Sequence, residues 1–154
     1  MNDRFTIEDI MQAVARHIKT GYPELKVYAG ENQQGTEIPC FFVVLMTPQI
    51  TPESGAFYMR DIGIDVVYLQ ERNVVNSNLS LVSVMEWLDT NMSQIPFGES
   101  VLWTYERTAE IQDQDLHYKF HIKGRVYLSD PQPIMEEMED LDVGIKEREN
   151  VSNG

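Results

Sequence analysis

The chain has 154 residues, 42% of them apolar and 24% charged, which is one globular domain's worth of sequence with material for a real core. Its single cysteine allows no intrachain disulfide, so nothing ties it to an oxidising compartment. A net charge of −13, from 25 acidic and 12 basic residues, works against stand-alone binding to phosphate backbones.

The opening, "MNDRFTIEDIMQ", has no apolar leader core or cleavage pattern. No apolar run approaches the roughly 18–20 residues of a membrane span. We therefore expect assembly in the cytosol and no membrane partner.

Ile7, Ile10, Met11, Val14, Ala15 and Ile18 recur at helical spacing. Thr6 is placed to cap this helix, Glu8 and Asp9 suit its first turn, and Gly21 followed by Pro23 fits its end. The spacing predicts a helix over residues 7–20. Residues 25–30, "LKVYAG", read as a short strand, and residues 31–38 as a polar loop. Cys40 to Met46 is apolar without alternation, the pattern of a strand covered on both faces. Pro39 stands at its mouth, where a missing N–H costs little. Residues 47–56, "TPQITPESGA", carry the proline and serine of a loop.

Over residues 57–70, Tyr58, Ile62, Ile64, Val66 and Tyr68 alternate with Asp61, Gly63 and Asp65, with Arg60 as the exception. That predicts a long half-buried strand. Leu81, Val84, Met85, Leu88 and Met92 return to helical period over residues 77–92, with Ser77 or Asn78 as cap. "SVLWTYERTAEI" (100–111) and "LHYKFHIKGRVYL" (116–128) alternate on either side of the polar turn "QDQD", which predicts an antiparallel hairpin. In the second run Leu116, Tyr118, Phe120, Ile122, Val126 and Leu128 share one face; His117, Lys119, His121, Lys123 and Arg125 share the other.

The predicted order is α-β-β-β-α-β-β. It implies an α+β domain over residues 1–130, with a mostly antiparallel sheet of about five strands and two helices packed on one face. Residues 131–154 form an acidic extension with seven acids and two bases. Ile134, Met138, Leu141 and Ile145 give it some helical spacing. It is read as flexible and solvating, as a helix docking on a neighbouring subunit, or as a segment that binds a connector.

No catalytic constellation stands out. Cys40 follows a proline and leads an apolar strand, the setting of a buried thiol acting as a small hydrophobe. His117 and His121 share a face, but lysines interleave with them and no metal-ligand cluster surrounds them. Asp61 and Asp65 lie four residues apart, about 13 Å along a strand, too far for a carboxylate dyad on their own. There is no phosphate-cradling loop and no nucleophile elbow. We expect no catalysis, no cofactor and no metal. The basic stripe from His117 to Arg125 is either a partner contact or a face paired with Glu106 and Glu110 across the hairpin.

Val27, Tyr28, Glu31, Gln34, Gly35, Pro39, Cys40, Phe41 and Phe42 form the pattern "VY…E…QG…PCFF". Ile64, Val66 and Tyr68 follow in the long strand, and "YKFHIKGRVYL" closes the domain. This arrangement resembles the tail terminators of contractile-tailed phages and of phage-derived elements of low-GC Gram-positive bacteria, over roughly residues 5–129. The resemblance implies a non-enzymatic virion protein at the head-proximal end of the tail, assembled in the host cytoplasm. It would cap the tail tube, end elongation and offer a surface for head–tail joining.

The implied partners are further copies in a homo-hexameric ring, the tail tube protein, a head–tail connector and the tail sheath. DNA would pass through the channel unbound, and an acidic lumen would keep it from sticking. Glu31, Glu37, Arg60, Asp61, Asp65, Lys119, Lys123 and Arg125 are the expected assembly contacts. The alternatives are another connector or neck protein of the same particle, or a small-ligand-binding regulatory domain.

Overall fold

The structure is a computed structural model that describes residues 5–30, 36–71 and 77–127, with only the backbone described at 77 and 78. The expectations for Glu31, Gln34, Gly35, the Ser77 or Asn78 cap, Leu128 and the extension 131–154 lie outside the described residues.

The elements in chain order are α1 (Ile7–Gly21), β1 (Lys26–Ala29), β2 (Cys40–Leu45), β3 (Gln49–Pro52), β4 (Phe57–Leu69), α2 (Ser77–Asn91), β5 (Gln94–Phe97), β6 (Ser100–Gln112) and β7 (Asp115–Tyr127). The fold is mixed α+β, as the sequence implies. The strand count and order are corrected: β3 and β5 add to the five expected strands. β3 is exposed along its whole length and bracketed by Pro48 and Pro52, so neither burial nor composition marks it as a strand. β5 is four residues long and contains Pro96, too short for alternation to show.

The strands run β1-β2-β4-β7-β6-β5, with β3 pairing β4 off this path. β1 joins β2 in parallel, Val27 opposite Phe41 and Tyr28 opposite Phe42. The β2–β4, β6–β7 and β5–β6 pairs are antiparallel. The chain divides into two compact units. Within the described residues the larger comprises 5–50 and 59–124, and the smaller comprises 51–58 and 125–127.

The core of the larger unit follows from period two in the strands and 3.6 in the helices. Phe41 and Val43 of β2, Ile62, Ile64, Val66 and Tyr68 of β4, and Leu116, Tyr118, Phe120 and Ile122 of β7 all point to one face. Ile10, Ala13, Val14 and Ile18 of α1 and Leu81, Val84, Leu88 and Met92 of α2 close on them from that same side. Both helices therefore cover one face of the sheet. Thr6 caps α1 as expected, its hydroxyl accepting from the Asp9 N–H at 3.2 Å.

Gly21 has a different reason from the one its position suggests. It is the last helical residue, Tyr22 is the cap, and a Cβ on Gly21 would lie 2.2 Å from the Trp87 ring. The glycine admits an indole rather than a left-handed stop.

Two tight turns fix the registers around β6. Gly98, at φ 60°, opens the two-residue turn between β5 and β6. Asp113 and Gln114, at φ 51° and 70°, form the two-residue turn into β7, the paired left-handed geometry of a hairpin matched to strand twist. The side-chain amide of Gln70, itself buried, donates to the Gln114 carbonyl at 2.9 Å and braces that turn. In the smaller unit, Arg125 pairs with Glu53 at 2.7 Å, and the Phe57 and Tyr127 rings meet at 5.2 Å.

Candidate functional site

The face of the sheet away from the helices carries the polar residues singled out by the sequence. On β4 and β7 the outward positions are Asp61, Gly63 and Asp65, and His117, Lys119 and His121. Asp65 and Asp61 do not meet each other. Each takes a histidine instead: His117 Nδ1 lies 2.9 Å from Asp65 Oδ2, and His121 Nδ1 lies 2.8 Å from Asp61 Oδ1. Numbers rise on one strand as they fall on the other, so these two strands run antiparallel here. Gly63 sits between the pairs, and a Cβ there would lie 3.0 Å from the Met46 side chain.

The hairpin partner strand contributes less than the sequence suggests. Lys119 does reach Glu110, at 3.9 Å, and His121 Nε2 lies 3.7 Å from Glu106. Both contacts are longer than the aspartate contacts, and both glutamates are exposed. Alternation along a single hairpin could show only the β6 partners. The β4 partners lie about fifty to sixty residues back in sequence, across a strand neighbour that only the topology supplies.

A β-bulge explains the outward side of β6. Tyr105 pairs with His121 and Thr108 with Lys119, so Glu106 and Arg107 together face the single residue Phe120. Glu106 takes φ 56° at this point. Before the bulge Val101, Trp103 and Tyr105 point outward; after it Thr108 and Glu110 do. The bulge turns Arg107, still exposed, toward the side that carries Tyr118, where it donates to the Asp89 carbonyl at 2.9 Å and to the Tyr118 hydroxyl at 3.4 Å. The Tyr118 O–H donates to Asp89 Oδ1 at 2.7 Å. Burial, helped by that acceptor, pushes the Tyr118 phenol up to about 12. Sequence reasoning placed Tyr118 in the core and missed this polar cluster, because nothing in alternation announces a bulge.

In the "PCFF" segment Pro39 is half-buried and Cys40, Phe41 and Phe42 are buried. Phe41 packs its ring against Tyr22 and Tyr68 in the core. Cys40 and Phe42 point to the opposite face yet are buried, and Tyr28 stacks on Phe42 at 5.1 Å. The Tyr28 hydroxyl accepts from the Glu37 N–H at 3.2 Å, holding the end of the preceding loop. Pro39 follows a cis peptide bond. Burial raises the Cys40 thiol, with Asp115 adding to the effect, the opposite of what a nucleophile needs. Toward its end β2 emerges: Val44 is half-buried and Leu45 exposed, so the strand is covered on both faces only over its first four residues.

The remaining expected contacts are scattered. Arg60 is half-buried with the parity of the core residues, and its Nε is buried without a hydrogen-bond partner. Lys123 is exposed and rests over the Tyr105 ring at 5.5 Å. Arg125 belongs to the smaller unit. Among the described residues no group of three or more His, Cys, Asp or Glu is placed to hold a metal ion. No helix among them is long and apolar enough to cross a membrane.

The arrangement is that of a small α+β fold whose sheet face away from the helices is buried at Cys40 and Phe42 and open along β6, with the imidazoles of His117 and His121 held by carboxylates. The family model described as phage tail terminator protein matches residues 9–134. The chain belongs to the phage tail terminator family, and is a structural component of a phage tail. No curated protein matches. Among the solved structures that match, one is similar over 84% of this chain and 100% of its own, at 13% identity and a TM-score of 0.38.

Proposed function

We propose that this chain caps the tail tube, ends tail elongation and provides the surface on which the head joins, working as a ring of identical copies at the head-proximal end of the tail. The family match over residues 9–134 carries this reading. The lone thiol is buried and its ionisation is disfavoured, which suits packing rather than nucleophilic chemistry. A net charge of −13 suits a channel that passes DNA without retaining it.

The test is reconstitution. Purified tube protein is polymerised with and without this chain, and the tubes are measured by negative-stain microscopy. Shorter tubes bearing extra density at one end are the expected result. Unchanged tube lengths with no end-bound density would refute capping.

A further inference from the structure

The open face holds one patch that its own residues do not occupy. Val101, Trp103 and Tyr105 take three successive outward positions on β6 and are 42%, 54% and 44% exposed. Trp and Tyr aligned like this are what protein contacts use as anchors. Lys123 borders the ladder, its ammonium over the Tyr105 ring. The neighbouring basic groups are engaged: His117 by Asp65, His121 by Asp61 and Glu106, Lys119 by Glu110. Among the described residues no carboxylate pairs with Lys123. The patch thus asks for a ligand that brings apolar side chains and negative charge together.

The chain carries such a segment. Residues 131–154 hold seven acids and two bases, with Ile134, Met138 and Leu141 set among Glu136, Glu137, Glu139, Asp140 and Asp142. We infer that this segment of one copy docks on the Val101–Trp103–Tyr105 ladder and Lys123 of a neighbouring copy. The inference rests on the ring reading above and names one contact that would tie its subunits together. The apolar residues would cover the ladder, and the acids would meet Lys123.

A photo-cross-linking experiment on the full chain tests this. Met138→Cys is labelled with a benzophenone maleimide, the buried Cys40 being shielded from the reagent. Labelled copies are mixed with isotopically heavy unlabelled copies, and the oligomeric state is measured on the same sample by sedimentation. Cross-links from position 138 to the heavy β6 peptide containing Trp103 are expected. They should be lost in heavy copies carrying Trp103→Ser and Lys123→Glu whose melting temperature is unchanged. Association with cross-links confined to the same copy, or to other surfaces, would overturn the inference and leave the ring. Absence of both association and inter-copy cross-links would overturn the inference and the ring together.

Discussion

Cys40 and Tyr118 show how burial sets chemistry at single positions. The Cys40 thiol is fully buried and its ionisation is disfavoured, so it should react with a disulfide reagent only as fast as the domain opens. Cys40→Ser should lower stability by about 1–3 kcal/mol, the cost of a buried hydroxyl without a guaranteed partner, while tail capping survives. Thermal melting beside a capping assay checks both halves; loss of capping in a stable variant would make Cys40 functional. Tyr118 bears on alkaline stability. Its folded-state value of about 12 stands above the ordinary 10, so its contribution is fully present below pH 10 and is lost as pH rises through 12. Two pH units correspond to on the order of 2–3 kcal/mol. Tyr118→Phe should flatten the decline in stability between pH 10 and 12, read from denaturant midpoints; an unchanged slope would remove Tyr118 as its source.

At the level of elements, the pairing of β4 with β7 is the feature that organises the open face. A double-mutant cycle on Asp65→Asn and His117→Gln should give a coupling of about 1.5–3 kcal/mol, since the bond is charge-assisted and Asp65 is mostly buried. The same cycle on Lys119 and Glu110, both well exposed at 3.9 Å, should give about 0.2–1 kcal/mol or less. Equal couplings would mean that the aspartates do not organise this face. The histidine–aspartate pairs were not legible in the sequence, although every residue in them was. Alternation assigns a side chain to a face, and it does so correctly for His117, His121, Asp61 and Asp65. It says nothing about which strand lies beside which. Long periodic elements such as α1, β4 and β7 could be read from the residues because burial repeats in them several times. β3 and β5 could not, because four residues carrying a proline do not complete a pattern. The β6 bulge was hidden for a related reason: one extra residue inverts the faces of everything after it.

At the scale of the whole molecule, two facts constrain function together. The family match spans residues 9–134 of the 154, and the acid is densest in the segment that follows it. The larger unit buries Phe41, Phe42 and Tyr68, so these residues serve packing. The contacts proposed above accordingly use exposed positions such as Val101, Trp103 and Tyr105. The measurement that bears on tail termination most directly is tail length in particles from which this gene has been deleted, read by negative-stain microscopy. Long tails of scattered length with unattached heads are expected. Tails of normal, uniform length on assembled particles would contradict termination by this chain, and uniform but headless tails would assign it to head joining alone.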